Sequence, residues 1–509
     1  MTIGLSRRQV LATMGAAALA VEAPRTASAA AAAPVQPRAH GRVIRRDGNR
    51  DAGVGGVMVS NGRDVVVTAR DGTWSLPQVE ARDIFVIKPP QYRIVGAGSV
   101  PPAAGNAIPN ETIVFELAAA DEPDRFDVVL VTDTQPESHD ELNFVRDDIF
   151  GGMLGLSAAF GIHHGDVVGD ALDLFPRHQE LLRVTGMPWH HCVGNHDIDR
   201  EAHGDDAARH TWRRTFGPRW YAFQHAKAVF FILDNVEYFG AASGRYRGRL
   251  GDEQLGFVAQ VLAQVPQDHL VVLSMHIPLR CYLAADSPSD TTADYDQLLR
   301  LLSGRPHSVS FSGHLHATEH HYLPLPGTEA DQRTHHHHVL TAGSGSWWSG
   351  PRDARGIPCA DSTDGSPNGF HILRVDGHRY VTDFVPAVGK RPAPLRAMLH
   401  APADGPQGRA LLVNVFDGGP RTVVSYRLDG GLWSAMQCAP MRDPLICRML
   451  QGDTPRKPWV EATSSSHIWT APLPDSFGAG PLKVELRVTD EYGRVHEAPL
   501  ILEPRFPGL

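Results

Sequence analysis

No cluster of Lys and Arg marks any part of this 509-residue chain, and its 48 basic side chains are outnumbered by 57 acidic ones. The resulting formal charge of −9 is mild for the length, and without a basic face a nucleic-acid partner has no electrostatic support. Cysteine is scarce. The five cysteines cannot all pair with one another, and no CxxC pair suggests structural zinc. Cys192 sits in an apolar strand pattern and reads as a buried thiol, whereas Cys438 and Cys447 are close enough in sequence to bridge in an oxidising compartment. Long apolar runs are missing too, so no segment beyond the amino-terminal region could span a bilayer. Histidine, by contrast, is plentiful at 27 residues, which directs attention to metal chemistry.

The first thirty residues stand apart from any fold. Ser6-Arg7-Arg8-Gln9-Val10-Leu11 carries paired arginines ahead of a weakly apolar run to Val21, and Ala27-Ser28-Ala29 offers a small-residue cleavage site. Residues 1–29 resemble a twin-arginine export signal. The run is too short and too rich in Ala and Gly for a stable membrane anchor. The expectation is an exported protein, periplasmic or extracellular, with no transmembrane anchor once the signal is removed. The Ala/Pro-rich residues 30–39 read as a linker.

The length predicts two to four domains. Between 40 and 120, short β-runs (41–44, 56–60, 64–68 and 73–76) are punctuated by Asp47-Gly48, Asn61-Gly62 and Asp71-Gly72, the texture of an all-β sandwich. From 124 to 387 apolar strands (126–132, 159–164, 229–233, 270–274, 308–311) alternate with helix-like stretches such as 137–150 and 252–265, which predicts an α/β core. After a Pro-rich passage near 386–394, short strands return (410–416, 422–428, 482–490), and 395–509 reads as a second β-sandwich.

The ends of the middle strands carry a series of short motifs. Asp133-Thr134-Gln135 follows the first, Gly165-Asp166-Val167-Val168-Gly169-Asp170 the second, and Gly194-Asn195-His196-Asp197 the third. His276 follows "VVLSM", and Gly313-His314-Leu315-His316 follows "VSF". Open α/β sheets gather ligands outside the carboxyl ends of their strands, so residues far apart in sequence can converge there. Each piece alone has an ordinary reading: Asp after a strand is turn chemistry, and Asp after Gly can cap a helix. Their order, each at a strand end, is far more specific.

This order resembles the calcineurin-like metallophosphoesterase superfamily. The stretch "AGVGGVMVSNGRDVVVTARDGTWSLP" resembles transthyretin-like modules appended to exported enzymes, and "GSGSWWSGPRD…DGSPNGFHILRVDG" resembles a bacterial branch with both flanking domains. The resemblance implies a double β-sheet core with flanking helices (α-β-β-α), preceded and followed by small β-sandwiches. It implies two divalent metal ions, Mn, Fe or Zn, bridged by Asp166, with Asp133 and His316 completing one shell and Asn195, His276 and His314 the other. Such a pair would activate a bridging hydroxide towards a phosphate mono- or diester. His196 would assist the leaving group, Asp197 would orient its ring, and Asp170 would support from outside the ligand set. Gln135 stands where many members place His. A carboxamide oxygen there would favour harder ions, and the alternative is that it supports a ligand or touches substrate.

Other features weigh less. In Thr334–Val339 the four consecutive histidines, His335 to His338, should alternate between the faces of a strand. His163 and His164 read as strand-packing residues. Trp348 and Asn368, on Gly-rich loops, suit a substrate wall, or equally a plug between domains. The predicted partner is a phosphoester small molecule or a cell-envelope phosphodiester. The reading from a different class is a non-catalytic cell-envelope binding protein on the same scaffold, whose signature would be lost ligands; here Asp133, Asp166, Asn195, His276, His314 and His316 are all present.

Overall fold

The computed structural model describes residues 38–503 apart from 49, 78–82, 97–102, 105–111, 328–332, 391–393, 401–409 and 474–480. The expected export signal and most of the expected linker lie outside the described residues.

Val128 to Val131 are buried at every position, which is why the run is continuously apolar and not alternating. They belong to a sheet of β1 (Arg125–Val131), β2 (Phe160–His163) and β3 (Trp189–His191), joined late in the chain by β10 (Gly369–Asp376) and β11 (Arg379–Pro386) in the order β3-β2-β1-β10-β11. A second sheet contains β4 (Tyr221–His225), β5 (Ala228–Ile232), β6 (Leu270–Ser274), β7 (Ser308–Ser312), β8 (Glu319–Pro324) and β9 (Thr334–Val339), ordered β4-β5-β6-β7-β9-β8. β1, β2 and β3 are mutually parallel, as are β5, β6, β7 and β9. Each parallel group therefore delivers its strand ends, and the residues that follow them, to one side of its sheet.

The sheets meet through aromatics. Phe160 of β2 packs edge-on against Phe223 of β4 and Phe230 of β5, with ring centroids 5.2 and 5.1 Å apart. Val129 and Val131 share a second cluster with Leu142, Ile149 and Phe175 from the helical segments 139–153 and 175–183. Phe257, Val258 and Leu298 of helices Gly251–Leu262 and Tyr295–Leu302 pack in the cluster that holds the second sheet. The result is a mixed α/β fold with several sheets.

Both ends of the described chain are β-rich. Residues 38–119 form a five-stranded and a four-stranded sheet whose Val43, Trp74 and Phe115, from one, pack with Val59, Ile84 and Val86 from the other. Residues 395–502 form two four-stranded sheets around Leu411, Val413, Trp469, Val484 and Leu486, plus a short strand pair. Strand positions agree with the sequence patterns to within a few residues. The hairpin β10–β11, which completes the first sheet beside β1, is not foreseen, because its pairing partner lies over 200 residues earlier. All five cysteines are free, so the Cys438–Cys447 bridge does not form, while Cys192 is buried as expected.

Candidate metal centre

Strand ends position the site. Asp133 follows β1, Asp166 follows β2, Asn195 follows β3, His276 follows β6 and His314 follows β7. The turns that carry them are unusually tight. Asp133, Gln135, Asp166, Asp170, His314 and His316 all adopt left-handed backbone conformations, with φ between 37° and 77°. Non-glycine residues are held in such conformations only where their surroundings over-determine them, and such strain gathers at functional sites. The glycines beside them allow the approach. A Cβ on Gly194 would stand 2.0 Å from the Asp166 amide nitrogen, and one on Gly313 would stand 1.9 Å from the Thr132 hydroxyl.

Asp166 lies at the middle of the constellation and is almost fully buried. Its Oδ1 accepts the His196 backbone N–H at 2.8 Å, and its Oδ2 accepts the Gln135 carboxamide N–H at 2.7 Å. Ligand-type atoms of Asp166, His276 and His314 all come within 4.8 Å of one another. Asn195 Oδ1 is 3.0 Å from His276 Nε2, and His316 Nε2 is 3.6 Å from Asp133 Oδ1.

Each of the three histidines has one ring nitrogen tied outward and the other turned inward. His276 Nδ1 pairs with the His164 carbonyl at 2.9 Å, leaving Nε2 near Asp166. His316 Nδ1 pairs with the Gly345 carbonyl, leaving Nε2 near Asp133. His314 reverses the choice: Nε2 faces Asp290 Oδ1 at 3.2 Å, and Nδ1 lies 3.2 Å from His276 Nε2. An imidazole whose outer nitrogen donates to a carbonyl or carboxylate presents a lone pair on the other, the arrangement of metal-ligating histidines. Two buried oxygens in the same place, Asp133 Oδ1 and Gln135 Oε1, have no hydrogen-bond partner. The donor set therefore fits divalent cations: oxygens left without donors, and nitrogens pre-set as acceptors.

Electrostatics agree. Burial opposes ionisation of Asp166, but His276 and His196 outweigh it and hold the carboxyl well below its usual range. Burial likewise opposes a charge on His276, yet the Asp166 carboxylate pushes its pKa up to about 9. The pocket thus draws positive charge inward.

His196 stands at the rim with its side chain 30% exposed. Its Nδ1 pairs with Asp170 Oδ1 at 3.0 Å, and Arg200 holds that same oxygen at 2.6 Å while also donating to the Asn195 carbonyl. The expectation that Asp197 orients this ring is corrected: its carboxylate accepts the Gly194 and Val168 backbone N–H groups, so it braces the loop, and Asp170 is the residue that touches the ring. Burial, with Asp166 nearby, pushes the Asp197 pKa up to about 7.

The predicted substrate wall is also corrected. Trp348 is buried and donates to the Thr134 carbonyl at 2.9 Å, packing beneath the first ligand loop. Asn368 is fully buried and donates to Asp148 and the Gly343 carbonyl, joining two loops. The tryptophan at the centre is the neighbouring Trp347, stacked on His316 at 3.6 Å between ring centroids. His163 and His164 are buried and bond to Thr134 and Ser274, as strand-packing residues do.

Four contributors escape sequence reasoning: Arg200, Asp290, Tyr246 and Asn235. Tyr246 lies edge-on to His314. Asn235 follows β5 and its Oδ1 accepts the His276 and Ile277 backbone N–H groups, fixing the loop that presents His276. Only Asn235 had a signal available, as a polar residue after the run "FFILD".

Residues 337–496 match the family described as the C terminal of Calcineurin-like phosphoesterase. No curated protein matches the chain. Among solved structures, a purple acid phosphatase from yellow lupin (Lupinus luteus) seeds aligns over 68% of this chain and 66% of its own, just under two thirds, at 15% identity and a TM-score of 0.38. PhoD aligns over 71% of this chain and 83% of its own, at 12% identity and a TM-score of 0.37. The family match covers the later part of the chain, and the Asp, Asn and His series of the strand-end centre lies ahead of it.

Proposed function

We propose that the protein is an exported, metal-dependent phosphoesterase acting on phosphate mono- or diesters, either small molecules or cell-envelope phosphodiesters. One observation carries the reading: three histidines with their outer nitrogens tied converge with Asp133, Asp166 and Asn195 around two unpartnered buried oxygens. Two divalent cations, Mn, Fe or Zn, would be held by Asp133, Asp166, Asn195, His276, His314 and His316, with Gln135 Oε1 as a further donor. Bound there, they would polarise the phosphoester and make a water more acidic.

The remaining work falls to the chain itself. Gln135 and the His196 backbone fix both oxygens of Asp166, so this carboxylate cannot rotate away. Asp170 holds His196 Nδ1, which leaves Nε2, 4.0 Å from Asp166 Oδ2, as the atom that protonates a leaving oxygen. Burial opposes a proton on this ring, and the carboxylates of Asp166 and Asp170 override it, raising its pKa. Arg200 locks Asp170 and the Asn195 carbonyl together. Trp347 stacks on His316, and Tyr246 lies edge-on to His314.

The test uses two variants assayed on a chromogenic phosphate monoester and diester. Asp166→Asn and His196→Ala should each lose about 100-fold or more in kcat/KM, with unchanged circular dichroism. His196→Ala should keep its full metal content and Asp166→Asn should not. Wild-type rates in either variant would contradict the assignment.

A further inference from the structure

The four-histidine run resolves into two separate devices. His335 and His337 face a ladder of serines: His335 bonds Ser308 and Ser310, and His337 bonds Ser310 and Ser312, all in the sheet interior. His336 and His338 point to the opposite face, where the second device lies.

There, three fully buried imidazoles surround one carboxylate oxygen. His320 of β8, His338 of β9 and His371 of β10 place their Nε2 atoms 3.5, 3.0 and 3.2 Å from Asp417 Oδ1. Asp417 belongs to the carboxy-terminal β-region, just after the strand Ala410–Val415. The four residues thus come from both central sheets and from the terminal module. Ligand-type atoms of His320, His338 and Asp417 all lie within 4.8 Å of one another.

From this geometry we infer a metal-binding site, separate from the centre at the strand ends, in which His320, His338, His371 and Asp417 hold one zinc-like divalent cation and clip the terminal module to the core. Three independent features support it. First, the donor set, three imidazoles and one carboxylate, suits a closed four-coordinate structural site. Second, the distances to Asp417 fit: ligand atoms of a tetrahedral zinc with bonds of about 2.0–2.1 Å stand about 3.3–3.4 Å apart, and Asp417 Oδ1 lies 3.0–3.5 Å from the three Nε2 atoms. His320, His338 and Asp417 form the mutually close core, and His371 reaches it through Asp417. Third, hydrogen bonding alone does not satisfy the cluster. The Nε2 atoms of His320 and His338 are buried and make no aligned hydrogen bond, although both lie close to Asp417, whose Oδ1 already receives His371. Leaving such groups buried and unpaired is costly, and a bound cation would satisfy both nitrogens.

The surroundings also orient a ligand. His320 Nδ1 pairs with His336 Nε2 at 2.9 Å, and His336 Nδ1 pairs with the Tyr380 hydroxyl at 2.8 Å. This relay fixes the His320 ring with Nε2 facing Asp417, the outer support that metal-bound histidines use. His320 lies four residues beyond His316, so the clip also anchors the segment that leaves the GHxH loop.

Crystals of the full chain equilibrated with Zn2+ and measured on both sides of the zinc absorption edge test the site directly. The expected result is an anomalous difference peak within bonding distance of His320, His338, His371 and Asp417. Peaks confined to the Asp166 centre would overturn the inference and leave a cluster that merely shares protons. In solution, zinc content by plasma mass spectrometry should fall by one ion per chain in His371→Ala and in Asp417→Ala. Unchanged content in folded variants would also overturn it, and should neither variant fold, the wild-type crystal decides.

Discussion

Asp133 alone is an ordinary strand-end carboxylate, and its meaning comes from partners up to 183 positions away in His316. Gln135 is the sharpest residue in the same loop. Its amide nitrogen clamps Asp166 while its oxygen is left without a donor, so clamping and metal binding are compatible in one side chain. If the oxygen is a donor, Gln135→His should raise zinc-supported activity relative to manganese-supported activity, because an imidazole nitrogen is softer than a carboxamide oxygen. An unchanged ratio would confine Gln135 to clamping. At this scale the sequence was informative wherever a polar residue closed an apolar run, which covers the proposed ligands of the strand-end centre. It was uninformative for Arg200, Asp290 and Tyr246, which lie on loops without a periodic pattern. It misled at Asp197, because a neighbour in sequence turned its carboxylate towards backbone amides while Asp170, 26 positions before His196, reached the ring.

At the scale of elements, the parallel strands explain why the motifs converge, and the same alternation explains the histidine strand. Period-two geometry divides His335 and His337 from His336 and His338, as the sequence predicts, but no pattern in the sequence announces that His338 meets His371 and Asp417 while His336 backs His320. A further junction is Glu122, between the amino-terminal β-region and the β4–β5 turn. It pairs with Lys88 at 2.5 Å and accepts the Gln91 and Ala226 backbone N–H groups. Burial pushes its pKa up, but His225, Lys88 and Ala226 override this and bring it from 4.5 down to about 2. A carboxyl with a lowered pKa contributes stability that is fully present above its unfolded value and is lost as pH falls through the folded one. The stability difference between wild type and Glu122→Gln should therefore hold above pH 4.5 and shrink as pH falls from 4.5 towards 2. Denaturant titrations across that range check it, and a difference independent of pH would show that the carboxylate charge is not what joins these elements.

For the whole molecule, the sequence conveyed three successive textures, β, α/β and β, and the structure places sheets accordingly. The late hairpin β10–β11 and the reach of Asp417 into the core were hidden, since both depend on pairings across long separations. On the proposed reading, the strand-end residues of the assembled chain form a centre whose chemistry would require metal. The most direct measurement strips the purified protein of metal, reconstitutes portions separately with Mn, Fe and Zn, and assays each in parallel on a chromogenic phosphate monoester and diester. Stripped protein should be inactive, and at least one metal should restore hydrolysis; full activity in the stripped protein would rule out a metal-dependent centre.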